Sequence, residues 1–408
     1  YNIKTKNFYL VSALISGGLS NFWGAGLETP GLNYINKYSF GKSILKEQKY
    51  IDKELGINNN RFKFYDFFFK QEIIRRLLKK TDKYAYFSKL LLAVKQFDKK
   101  KITIKDYHNV DLLSGYNKYA YNAKYQISNL LRNKNFRYIP NTFVKNIIKK
   151  KRKYKIIIDN KKILDLKINK IIISAGTIGS TILVDKILNL SERYRLFHTP
   201  VLKLMYFSFL LPFKIKNKIK FGLALLNINI NIKNEKFCGS FIQLNNISNY
   251  FFGITKFNVF FTLMKKFFFV GNIFLPSQYS NTFIDIKKRK TFIYSTKKFE
   301  EEKIISKLKT KLNFFLKRFN LFEFPMQNLK FFDNGSDAHY TSTLIYKYKN
   351  RNKILNNKCE LMKFKNIHII DGSSIKEGLH YPNYFLMMYS RFISKKIILH
   401  DKKNKNKH

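Results

Sequence analysis

The stretch that decides the fold is Asn366–Met388, NIHIIDGSSIKEGLHYPNYFLMM. Its apolar start predicts a short strand over Ile367–Ile370, and Asp371-Gly372-Ser373 a turn at the strand's end. A loop then runs to Pro382, and a helix is expected from about Asn383 to Leu399. A second stretch, Lys170–Leu183 (KIIISAGTIGSTIL), is read in the same way. Its three consecutive isoleucines make a buried strand and Ala175-Gly176 a tight turn at the carboxyl end. Thr177 or Ser180 caps the helix that follows.

Working outward, Val11–Gly26 (VSALISGGLSNFWGAG) gathers Gly, Ser and Ala in a chain otherwise poor in them, which marks backbone that must approach something closely. Asp66–Phe97 places Ile73, Ile74, Leu77, Leu78, Leu90, Leu91 and Val94 at helical spacing, and Asn122–Leu131 predicts a further helix. A strand region begins at Phe136–Ile139, continues through Tyr154–Asp159, turns at Asn160-Lys161 and returns along Ile163–Ile168. From His198 to about Ile293 the pattern is strand-like and aromatic, clearest at Phe241–Leu244 and Thr282–Ile286. Lys297–Phe319 is an amphipathic helix with Ile304, Leu308, Leu312, Phe315 and Phe319 on one face and Glu300–Glu302 near its positive end. This order suits an α/β domain with a β-rich insertion between its parts.

A chain of 408 residues buries one large core or two ordinary ones, so two intimately joined domains are expected. Apolar residues at 45% and aromatics at 17% argue against disorder. The formal charge of +52 would point to a polyanion, but lysine is spread over almost every segment. Drift in an A/T-rich genome explains an even spread, so no specific nucleic acid is expected. A basic RNA- or membrane-surface protein is a third reading, and it requires the charge to gather on one face. Lys149–Lys153 reads as a solvated turn, and 401–408 as a frayed basic tail. Leu202–Phe213 is too short to span a bilayer, and Tyr250–Phe274 is broken by Lys256, Lys265 and Lys266. Both are expected to be buried strands, which gives no transmembrane segment and leaves peripheral membrane contact open. Cys238 and Cys359 form neither a disulfide framework nor a metal spacing, so no metal is expected and a reduced, cytoplasmic location is the simplest inference.

Three segments together resemble the flavin-dependent GMC (glucose–methanol–choline) oxidoreductases, over most of the chain. The loop Gly17-Gly18-Leu19-Ser20-Asn21-Phe22-Trp23-Gly24-Ala25 resembles a glycine-rich loop that lies along the flavin. Ile171–Val184 resembles the family's strand–Ala-Gly–helix element. Ser336-Asp337-Ala338-His339-Tyr340-Thr341-Ser342 followed by Asn366–Met388 resembles its closing unit. The resemblance implies an α/β fold: an incomplete FAD/NAD(P)-binding Rossmann-like domain with an inserted β-sheet-rich substrate domain. The first would comprise 1–50, 100–195 and 335–400, with a helical part at 51–99 and the substrate domain at 196–334.

The implied cofactor is FAD, near Gly17, Gly18, Ser20, Asn21, Trp23, Gly24, Ala175, Gly176, Asp371, Gly372 and Pro382. The implied reaction is hydride transfer from the CH–OH group of an alcohol or sugar, with an unidentified electron acceptor. His339 stands where the family has its base, a role that suits imidazole. The second position departs from the pattern: Tyr381 precedes Pro382 where Asn or His is expected, so His380, Asn383 or Tyr381 itself supplies the hydroxyl contact, with His380 preferred. The chain carries no G-x-G-x-x-G motif, so the first βαβ unit is expected to lie outside this sequence or to be lost, and FAD binding by this polypeptide alone to be weak or nil. A non-catalytic descendant that keeps the fold is the alternative reading.

Overall fold

The computed structural model describes residues 2–55, 57, 79, 81–82, 84–93, 121–150, 153–159, 163–164, 168–208, 226–232, 235–243, 267–287, 290–296, 300–324, 329–345 and 353–405. In chain order, β1 (Ile3–Lys6) and β2 (Gly26–Leu27) precede the helices α1 (Leu32–Ile35), α2 (Gly41–Leu45) and α3 (Gln48–Leu55). Next come β3 (Ala85–Lys89), β4 (Leu91–Leu92), α4 (Ala123–Leu130), β5 (Val144–Lys150), β6 (Lys153–Ile158) and β7 (Ile163–Leu164). They are followed by β8 (Ile171–Ile173), α5 (Thr177–Leu188), β9 (Arg193–Leu196), β10 (Val201–Ser208), β11 (Leu226–Ile232), β12 (Glu235–Gln243) and β13 (Phe268–Phe274). Last are β14 (Thr282–Lys287), β15 (Lys290–Ser295), α6 (Glu300–Lys317), β16 (Leu321–Glu323), β17 (Ile367–Ile369) and α7 (Pro382–Lys405).

The largest sheet is antiparallel and six-stranded, in the order β16-β10-β13-β12-β11-β3. Helix α6 packs on it through Leu308, Leu312 and Phe315, all buried, as its apolar stripe requires. Each such side chain contributes roughly 1.5–3 kcal/mol through apolar area removed from water. The same core takes in Tyr384, Phe385, Met388 and Ile393 of α7, whose first residue is Pro382, the position where a missing N–H costs nothing. Strands β12 and β13 approach so closely that a Cβ on Gly239 would stand 1.8 Å from the Asn272 carbonyl oxygen, so only glycine fits there.

A second core is built around the parallel pair β8 and β17, with Ile171 opposite Ile367 and Ile173 opposite Ile369. Helix α5 is buried on nearly all sides, and β5, β6, the four-stranded sheet β1-β15-β14-β9 and loop residues such as Phe8, Leu344 and Leu361 complete that core. β1 runs parallel to β15, and the other pairs in that sheet are antiparallel. The architecture is thus mixed α/β, with a β-rich middle of the chain divided between two sheets.

Several elements differ from the sequence reading. Leu90 and Leu91 fall in the β3–β4 region and not in a helix, because β3 pairs with β11 along its whole length and alternates buried Ala85 and Phe87 with half-buried Tyr86 and Ser88. Most of Asp66–Phe97 besides, like Asn160-Lys161 and much of Leu202–Phe213 and Tyr250–Phe274, lies outside the described residues. Phe136–Ile139 is irregular, and the strand starts at Val144. Neither Thr177 nor Ser180 caps α5: Gly176 is the N-cap residue and no side chain bonds there. The C-terminal segment is helical as far as Lys405, beyond the expected end near Leu399. Among the described residues no helix is long and apolar enough to cross a membrane.

Candidate functional site

The two turns that the sequence singles out lie side by side at the carboxyl ends of β8 and β17. Ser180 Oγ accepts from the Ala175 N–H at 3.0 Å and donates to Asp371 Oδ2 at 2.5 Å. Ser174 Oγ donates to the Ile370 carbonyl at 2.9 Å. Asp371 caps the short 3-10 turn Gly372–Ser374, its Oδ1 accepting from the Ser373 N–H and hydroxyl. Burial raises the Asp371 carboxyl above its ordinary value, with Ser180, Ser373 and the Gly176 N–H pulling the other way.

The loop that carries His339 is sewn onto both turns. Thr177 Oγ1 donates to the Tyr340 carbonyl at 2.5 Å, and the Ser342 and Leu344 N–H groups donate to Gly372 and Ser373. A Cβ on Gly372 would stand 2.5 Å from Thr177 Oγ1 and 2.7 Å from the Tyr340 oxygen, so this approach depends on glycine. Gly176 has φ +77 and nothing within 4 Å of where its Cβ would be, and Ser174, Ala175 and Gly176 are exposed. The carboxyl ends of the parallel pair therefore present open, glycine-lined backbone.

His339 is held from behind. Asp337, with a side chain 1% exposed, accepts from the Thr199 N–H at 2.9 Å, the Thr199 hydroxyl at 3.0 Å and the His339 N–H at 3.2 Å. Its other oxygen meets His198 Nδ1 at 3.1 Å, and His198 Nε2 reaches Thr282 Oγ1. Thr199 Oγ1 is also 3.2 Å from His339 Nδ1. Since the Thr199 hydroxyl gives its proton to a carboxylate, only its lone pair faces the imidazole. His339 Nδ1 must then donate, and Nε2 carries the lone pair. Nε2 has no hydrogen-bond partner among the described residues. Burial lowers the His339 pKa; Asp337 opposes this and His198 adds to it.

Phe274 joins His339 to the C-terminal loop, its ring 5.2 Å from His339 and 5.4 Å from Tyr381. Tyr381 Oη donates to Asn227 Oδ1 at 3.2 Å inside the six-stranded sheet, so it is committed to the core and does not supply a hydroxyl contact. His380 and Asn383 remain, and the His380 Nε2 is buried without a hydrogen-bond partner. Burial, then the Lys236 ammonium and His339, carry the His380 pKa down to about 3. Asn383 sits half-buried in the first turn of α7 and bonds to no described residue, while Pro382 opens that helix.

The Gly17–Gly24 loop is tied elsewhere. Gly17 and Gly18 have φ +89 and +54, Ser20 Oγ accepts from the Ala123 N–H, and Asn21 bonds Asn122. Trp23 Nε1 donates to the Tyr121 carbonyl at 2.8 Å. These bonds fasten the loop to the start of α4, and among the described residues none joins it to the turns at Ala175-Gly176 or Asp371. Its continuation does reach the site, because Gly26 lies against the Tyr381 ring and Glu28 meets Cys238. The sequence reading quoted Asp337 without a role and missed Thr199 and His198. Their only signal was a polar His-Thr pair placed just before the apolar strand β10.

Comparison with known protein families and with curated proteins finds no match to this chain. What the chain does is therefore argued from the geometry.

Proposed function

We propose that the chain is a flavin-dependent oxidoreductase of the GMC type, acting on the CH–OH group of an alcohol or sugar. The observation that supports this most is the train Asp337–Thr199–His339, which frees His339 Nε2, on a loop bonded to both turns of the parallel pair. Open backbone at Gly176, where no atom stands within 4 Å of a Cβ, fits a bulky group lying across the carboxyl ends of a Rossmann-like sheet. In this reading Ala175, Gly176, Asp371 and Gly372 hold FAD, which when bound accepts a hydride from the substrate carbon.

The residues of the chain supply the rest. His339 Nε2 takes the hydroxyl proton, and a neutral imidazole is kept ready because burial lowers its pKa. Asp337 stabilises the imidazolium that forms, acting through Thr199 and from a carboxyl held below its ordinary value. His380 Nε2, otherwise without a partner, hydrogen-bonds the substrate hydroxyl.

The test is an FAD titration of the purified chain followed by flavin fluorescence, then anaerobic addition of an alcohol and sugar panel. Weak quenching, in keeping with a first βαβ unit outside this sequence, that falls a further tenfold or more in Gly176→Val, and flavin bleaching lost in His339→Gln, are expected. A chain that leaves FAD fluorescence unchanged at millimolar protein overturns the reading and leaves a non-catalytic protein of the same fold.

A further inference from the structure

Three side chains from separate parts of the chain meet beside β12: Glu28 after β2, Cys238 within β12, and His380 just before α7. Each offers one ligand atom, and these atoms all lie within 4.8 Å of one another. We propose that Glu28, Cys238 and His380 bind a divalent transition metal of the zinc type.

The chemistry of the set is selective. A sulfur, an imidazole nitrogen and a carboxylate oxygen suit Zn²⁺ or Co²⁺, whereas Mg²⁺ and Ca²⁺ take oxygen alone. Tetrahedral bonds of about 2.0–2.3 Å put ligand atoms about 3.3–3.8 Å apart, and Cys238 Sγ already stands 3.6 Å from Glu28 Oε2. The remaining separations, at most 4.8 Å, close by no more than about 1.5 Å on that scale.

Two further observations point to a cation. His380 Nε2 is buried with no hydrogen-bond partner, a state that buried polar atoms rarely keep. Glu28 divides its oxygens: Oε1 takes the Lys236 ammonium, and Oε2 faces Cys238. Oε2 accepts from the Cys238 thiol at 3.6 Å, and once that proton leaves, an outer partner on Oε1 and a metal on Oε2 is how metal-bound carboxylates are commonly held. Lys236 is 42% exposed along its side chain, so it can withdraw toward solvent when a second positive charge arrives. Because Cys238 Sγ donates to Glu28 Oε2, the thiol holds its proton in the metal-free chain. Binding then exchanges the S–H bond for an S–metal bond and releases one proton to solvent.

A metal would take the His380 nitrogen that the flavin reading gives to the substrate hydroxyl and leave that contact to Asn383, so the inference stands apart from that reading and its test needs no flavin. Co²⁺ is added to the full chain while the near-ultraviolet thiolate-to-cobalt charge-transfer band is recorded. A band that saturates at one equivalent, is displaced by Zn²⁺ and not by Mg²⁺, and releases one proton per ion is expected. Cys238→Ser should abolish the band, and Glu28→Gln and His380→Gln should each weaken binding at least tenfold. Because Cys238 is fully buried, its variant could fail to fold, so Cys359→Ser serves as the second arm. That chain keeps all three ligands and should retain the band. No band in the wild-type chain, or a band that disappears in Cys359→Ser and survives in Cys238→Ser, overturns the proposal.

Discussion

Ser180 and Asp371, 191 residues apart, share a 2.5 Å hydrogen bond that locks the turn after β8 to the turn after β17. The serine hydroxyl is fully used, since it also accepts from Ala175. Removing it in Ser180→Ala leaves a buried carboxyl and a backbone N–H each short of one partner. The expected cost is about 1–3 kcal/mol, the usual penalty for a buried polar group left unsatisfied. Urea unfolding of the variant should show an earlier midpoint at unchanged slope. An unchanged midpoint would mean that the two turns are held by the strand pairing alone.

Acid should weaken the fold through Asp337. Burial by itself would raise this carboxyl, but His198, the hydrogen bonds around it and His339 together hold it below the ordinary value. The folded chain therefore releases this proton more readily than the unfolded chain does. Its contribution to stability is present above the unfolded value of about 3.9 and is lost as pH falls through the lower folded one. Asp337→Asn should be less stable than wild type at neutral pH, and the gap should close below about pH 4. A gap that stays constant across that window would contradict the depressed carboxyl.

Helix α6 supplies part of the core under the large sheet. Leu312 of α6 is fully buried, and its neighbour Phe315 packs 5.5 Å from Phe87 of β3. Leu312→Ala should cost about 2–5 kcal/mol, because the removed methyl groups leave a cavity that the sheet cannot fill. Chemical denaturation measures this directly. A loss below 1 kcal/mol would show that the helix contributes little to the core.

How much of this was legible in the sequence follows from the range of the interactions. Helix α6, the start of helix α7 and the Asp371 turn are written in local periodicity and local turn chemistry, and they stand where the residues predicted them, whereas α7 ends later than expected. β3 was misread because Leu90 and Leu91 fit a helical spacing. Its true state is decided by pairing with β11, where Tyr86 opposes Asn229 across more than a hundred residues of chain. The site divides in the same way. His339 was visible inside a motif, but the threonine that orients it is 140 residues away and nothing near either residue signals the contact. Tyr381 stands as one of three alternatives for the hydroxyl contact in the sequence, and only the sheet shows the buried asparagine that takes its hydroxyl. The Glu28, Cys238 and His380 cluster could not be read from spacing, because three elements distant in sequence create it.

Thr199 is a positioning residue, and its removal separates orientation from mere presence of the base. Its hydroxyl is the only bridge between Asp337 and the His339 ring, at 3.0 and 3.2 Å among the described residues. Thr199→Val keeps the branched shape and the backbone N–H that Asp337 accepts, so the loop should stay in place. What it loses is the fixed tautomer of His339, because Nδ1 no longer meets a lone pair. In the oxidation proposed above, kcat should fall about 10- to 100-fold with KM little changed, a part of what a positioned base supplies. Thr199→Ser restores the hydroxyl and should restore most of the rate, which a purely structural role for the methyl group would not allow. Equal rates for the valine variant and wild type would remove Thr199 from the mechanism and leave His339 to be oriented by its packing against Phe274.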